Sequence, residues 1–165
     1  MADDKSHNGL LKVILLSGLL VGTLDMTAAC INAYLSFGLG PDRVFKYIAS
    51  GIMGKTAFSG GIGVAALGVI MHYLVAYSWT ALFFIAYPKT NLIRQNKYLT
   101  GTFYGMLIWT VMNLLVVPLT KVPKPKNGFN VTQAYINAGI LIVAIGIPLS
   151  FIAYKYYFSK LQLKR

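Results

Sequence analysis

The sequence predicts an all-α membrane protein: a four-transmembrane-helix bundle with a short interfacial amphipathic helix after the first span. Three observations lead there. The chain holds four apolar stretches, each long enough to cross a bilayer, which takes about 20 residues. Hydrophobic residues make up 56% of its 165 residues and charged residues 12%, where a soluble domain carries about 25% charged residues. The 15 Lys and Arg residues stand almost wholly between or beyond the apolar stretches, as the flanks of membrane spans do. The net charge of +11 would suggest nucleic acid in a soluble protein. Placed at span flanks it suits lipid phosphates, so the lipid bilayer and not nucleic acid is the expected partner.

The chain reads as one integral membrane domain, residues 1–165, with spans at about 10–37, 58–87, 98–119 and 131–158. Residues 1–9 are polar and are expected to fray. In the first span Gly18, Gly22, Asp25, Ala29, Asn32 and Ser36 follow steps of about four and three, which draw one stripe down a helix. Thr27-Ala28-Ala29 before Cys30 imitates a processing site, but acids mixed with bases upstream and apolar residues continuing to Phe37 argue against cleavage. A single cysteine permits no intrachain disulfide.

Gly40-Pro41-Asp42 is a helix start signal. Val44, Ile48 and Ile52 then share one face of an interfacial helix over 41–54, too short to span. A re-entrant element packed through Gly51 and Gly54 is the alternative. In the second span Gly61, Ala65, Gly68, His72 and Ala76 form another small-residue face. The third opens with Gly101-x-x-x-Gly105, a spacing that lets helices approach closely, followed by Trp109 and Asn113 and closed by Pro118. Lys121-Val-Pro-Lys-Pro-Lys126 is a stiff basic linker. The fourth span carries Gly139, Val143, Gly146, Ser150 and Ala153 on one face, with a kink expected at Pro148. Tyr154, Tyr156, Tyr157 and Phe158, mixed with Lys155 and Lys160, form an interfacial aromatic and basic anchor.

Nine Lys and Arg residues flank the side holding both termini and six flank the other, which favours cytoplasmic termini. Two ionisable residues, Asp25 and His72, fall near mid-depth on successive spans. An ionised Asp at the bilayer centre costs about 2.5–3.5 kcal/mol on insertion scales, and protonation or pairing removes much of that. The two stripes are therefore expected to face each other and bring Asp25 to His72, with Asn32, Asn113 and Thr27 as further polar candidates. Gly18, Gly22, Gly61, Gly68, Gly101 and Gly105 are the expected helix-packing positions. A pair like this either fixes the packing or carries a proton for transport. His72 as a haem or metal ligand would need a second ligand from another subunit, because His7 lies at the terminus. No catalytic motif is present, so no enzyme activity, cofactor or metal is expected.

The run Gly68-Val-Ile-Met-His72-Tyr, then Ala86-Tyr-Pro88-Lys89, Gly101-x-x-x-Gly105 and Met112-Asn113 to Pro118-Leu119 resembles the YagU-like family of small bacterial inner-membrane proteins. The resemblance covers about residues 18–119. It implies an inner-membrane location and transfers no catalytic or binding residue. The expectation is a small integral inner-membrane protein packed through small-residue stripes around a buried Asp/His pair. The alternatives are a proton- or ion-linked transporter or channel, and an accessory subunit of a larger membrane complex; a homo-oligomer is compatible with each.

Overall fold

A computed structural model of the chain describes residues 2–89, 96–123 and 130–162. Among these the structure is all helical, without strands. The helices are α1 (Ala2–Phe37), α2 (Pro41–Met53), α3 (Ile62–Ala86), α4 and α5. Helix α4 begins as Lys97–Val111 and runs through a π-helical turn, Met112–Val116, into Val117–Leu119. Helix α5 begins as Val131–Leu141 and runs through a second π turn, Ile142–Gly146, into Ile147–Gln162. Four helical stretches are long and apolar enough to cross a membrane: Gly9–Phe37, Ile62–Lys89, Lys97–Leu119 and Val131–Ser159. Arg94, the linker from Lys124 and the tail residues Lys164 and Arg165 lie outside the described residues.

Local chemistry sets most boundaries. Helix α1 ends where Gly38 takes φ +65°, a left-handed conformation that glycine adopts without steric cost. There the Gly38 N–H donates to the Tyr34 carbonyl at 2.9 Å and the Leu39 N–H to Ala33 at 3.2 Å. Pro41 opens α2, and Lys46 bridges Asp42 one turn earlier at 2.8 Å. The side chain of Asn96 caps α4 by accepting from the N–H groups of Tyr98 and Leu99, both at 3.1 Å. Asn130 caps α5 through the Gln133 N–H at 3.1 Å. At the N-terminus the expectation of fraying is corrected, since helix α1 runs back to Ala2. Propagating a formed helix adds one hydrogen bond per residue fixed, and no proline or glycine interrupts residues 2–8.

The two π turns share a cause. Each ends two residues before a proline, Val116 before Pro118 and Gly146 before Pro148. Proline lacks an N–H and its ring crowds the carbonyl four residues back. Widening the preceding turn accommodates that ring and adds a residue to the turn, which rotates the helix face. The expected single face on α5 is corrected accordingly. Gly139 and Val143 are exposed, whereas Gly146, Ser150 and Ala153, beyond the π turn, are buried.

The long helices alternate in direction. Gly18 and Gly22 of α1 meet Tyr77 and Tyr73 of α3, so these helices run antiparallel. Gly101 and Gly105 of α4 press on the backbones of Ile147 and Ile142 of α5, again antiparallel. A Cβ on Gly101 would lie 2.7 Å from the Ile147 Cα, and one on Gly105 would lie 2.6 Å from the Ile142 Cα. Helix α2 leans on α3, with the Phe45 backbone seated against Gly68. The main core, Val21, Phe83, Phe84, Tyr87, Ile108, Ile145 and Leu149 among others, fills one end of the bundle. That end gathers the first half of α1, the second half of α3, the start of α4 and the second half of α5.

Candidate functional site

Toward the opposite end three side-chain contacts tie α1 to its neighbours, while the buried Ser17, Thr80, Thr100 and Ser150 belong to the packed end. The first joins His72 of α3 to α1. Its Nε2 lies 2.8 Å from the Gly22 carbonyl oxygen; a carbonyl only accepts, so Nε2 carries the proton. Beside it, the Thr23 hydroxyl donates to the Leu19 carbonyl at 2.8 Å and therefore accepts from the Tyr73 hydroxyl, also at 2.8 Å. The third contact joins α1 to α5. The Asn32 Nδ2 donates to Gln133 Oε1 at 3.1 Å and to Asn137 Oδ1 at 3.2 Å, and its Oδ1 accepts from Ser36 at 3.0 Å.

Asp25 lies one turn beyond Gly22 on the same stripe and is half-buried. It sits within electrostatic reach of His72, yet the two form no direct ion pair among the described residues. The two stripes face each other as expected, and what differs is the acceptor that the His72 N–H takes. The imidazole N–H takes the backbone carbonyl one turn earlier, an acceptor that the close approach at Gly22 leaves reachable. The Asp25 carboxyl accepts no hydrogen bond among the described residues. The His72 Nδ1 is likewise uncommitted there.

Other candidates divide. Asn113 turns back on its own helix, its Nδ2 donating to the Trp109 carbonyl at 2.9 Å. That carbonyl borders the π turn. Thr27 also bonds within its helix, to the Thr23 carbonyl at 2.7 Å. Neither is brought to Asp25 by a hydrogen bond. Gly18, Gly22, Gly68, Gly101 and Gly105 all stand at close helix contacts. Gly61 does not. It is exposed, has open space around it and sits at the N-cap of α3, so its assignment to a packing face is corrected: the helix starts one residue after it.

Gln133 and Asn137, which receive the Asn32 bonds, are polar-end residues that the sequence reading missed. Their signal was available, two amides spaced i, i+4 in an otherwise apolar helix, a spacing that puts both on one face. No group of three or more His, Cys, Asp or Glu residues able to hold a metal occurs among the described residues. Comparison with family models, curated proteins and solved structures finds no match to this chain.

Proposed function

We propose that the chain is a multi-pass protein of a bacterial inner membrane, with both termini cytoplasmic, that exchanges a proton or small cation at Asp25 beside His72. Membrane residence is supported by the apolar coat. Leu11, Leu15, Leu16 and Leu19 on α1, and Ile70 and Leu74 on α3, are each at least half exposed. Exposed apolar surface on that scale suits lipid and not water.

One observation carries the proton role. Asp25 lies in the middle of a long apolar helix without a hydrogen-bond donor among the described residues, within electrostatic reach of the His72 imidazole. An acid retained only to lock helices together would be expected to find donors, as Asn32 does seven residues further along the same stripe. An intramembrane ionisable group is costly to keep, and proton or ion handling is its commonest use. The reading assigns no enzymatic chemistry.

The test is a proton flux in vesicles. Purified protein is reconstituted with a pH-sensitive dye inside, and an acid step is applied outside. Asp25→Asn is expected to abolish the protein-dependent flux while the protein remains folded; an unchanged flux would sink the proposal.

A second reading has its own support. Ser36 and Asn137 are exposed polar residues on apolar helices, and such groups seek a partner helix in a membrane. On this reading a second copy or a larger complex completes the polar end. Cysteine cross-linking from position 137 tests it; purely monomeric protein in the membrane would rule out the second copy.

A further inference from the structure

At the packed end, two apolar grooves adjoin on the outer face of the bundle. One, of about 440 Å³, is lined by Lys97 of α4 and by Phe151, Tyr154, Lys155 and Phe158 of α5. The other, of about 350 Å³, is lined by Val13 of α1 together with Lys155 and Tyr156. The grooves share Ile152, Lys155 and Ser159, so Lys155 borders both. The Lys97 ammonium lies over the Tyr154 ring, 4.2 Å from its centroid, and 5.5 Å from that of Phe151, which orients it without neutralising its charge. Among the described residues neither lysine has a carboxylate partner, and the ion pair found there joins Lys46 to Asp42.

We propose that this surface holds one anionic glycerophospholipid, its phosphate between Lys97 and Lys155 and one acyl chain in each groove. Two adjoining apolar grooves share one cationic residue, Lys155, which suits two chains carried by one phosphate. The charge selects the headgroup. Among the described residues no acid lines either groove, so none there meets the cation of a choline or ethanolamine headgroup. The inference rests on the membrane reading but not on the role of Asp25.

The full chain is reconstituted in vesicles of equimolar phosphatidylglycerol and phosphatidylcholine, extracted gently and weighed with its retained lipid by native mass spectrometry. A lysine near an anionic surface contributes a factor of about five, so wild-type protein should prefer phosphatidylglycerol by about thirtyfold. Lys97→Gln with Lys155→Gln should lose that preference, and the paired arginine substitutions should keep it. Lys55→Gln with Lys89→Gln, an equal change in charge elsewhere, should also keep it. Should the paired glutamine variant fail to fold, Val13→Trp fills the second groove without altering charge and should expel the lipid. Equal retention of both lipids, equal loss in the Lys55 and Lys89 control, or displacement by inorganic phosphate as effective as by phosphatidylglycerol would overturn the inference. Vesicle flotation separates the two readings. A chain that floats without lipid preference overturns this inference alone, and one that fails to float overturns the membrane reading with it.

Discussion

The two ends of the bundle are built on opposite principles. At the packed end large side chains interlock. Phe83 sits among Phe84, Tyr87 and Tyr104, the Tyr104 hydroxyl donates to the Trp79 carbonyl, and the Tyr157 hydroxyl donates to the Phe84 carbonyl at 2.6 Å. The glycines of α4 let two backbones touch. At the polar end the buried apolar side chains are Met26 and a few alanines, Ala49, Ala57, Ala65 and Ala138; α2 rests on α3 through the Phe45 backbone at Gly68, and single hydrogen bonds add to the contacts of α1. Lipid tails are as apolar as leucine, so helices in a membrane gain from close packing and hydrogen bonding rather than from burying apolar surface. Backbones touch at both ends, at Gly101 and Gly105 on α5 and at Gly68 on α2, but large buried side chains gather at one. The difference places the aromatic core at that end and leaves the other with room for polar groups.

The largest expected effect therefore falls on the glycine contact. Gly101→Val places a side chain into the Ile147 backbone, which cannot rotate aside as a side-chain tip would. It should destabilise the bundle by about 3 kcal/mol, the upper part of the overpacking range. Gly139→Val, on α5 before the π turn and facing open space, should change stability by less than about 0.5 kcal/mol. Reversible unfolding in mixed micelles measures both. Comparable losses would mean that the ends do not differ as described.

That contrast also marks what could be read from the residues alone. The four long apolar helices were legible because length and apolarity are properties of the chain, and the stripe of α1 was legible because its small residues keep helical spacing. The α4 pair was visible for the same reason. Gly139 was misplaced because a π turn lies between it and Gly146, and the prolines that signal the turn were read only as kinks. The partner of His72 was beyond reach for a deeper reason. It is a backbone carbonyl, a group that every residue carries, and only the three-dimensional approach of α1 at Gly22 selects which one is available.

Intermediate effects belong to the hydrogen bonds of the polar end. Asn32→Ala removes the bonds to Gln133 and Asn137, and His72→Ala removes the bond to the Gly22 carbonyl. Side-chain bonds between membrane helices average about 0.6 kcal/mol and reach about 1.7 kcal/mol. Each substitution should cost about 1 kcal/mol, well below Gly101→Val. The two sites share no partner, so their effects should add within about 0.5 kcal/mol. Strong coupling between them would show that the polar end is one cooperative network, and the comparison would need to be redrawn.

The smallest expected effect on stability is the one with the largest expected consequence for function. Asp25→Asn keeps the shape of the side chain and removes its capacity to exchange a proton. Because the carboxyl accepts no hydrogen bond among the described residues, the substitution breaks no contact there, and stability should move by no more than about 0.5 kcal/mol. Adding His72→Ala should then give a nearly additive double variant, since the imidazole is anchored to Gly22 and not to the acid. The alternative makes an opposite forecast. If Asp25 and His72 form a structural pair in the membrane, each single substitution strands a charged partner, and the double variant is less damaged than the sum. Non-additivity above about 1 kcal/mol with unaltered flux would make the acid a packing element after all, whereas additivity with lost flux would separate what holds this bundle together from what it is kept for.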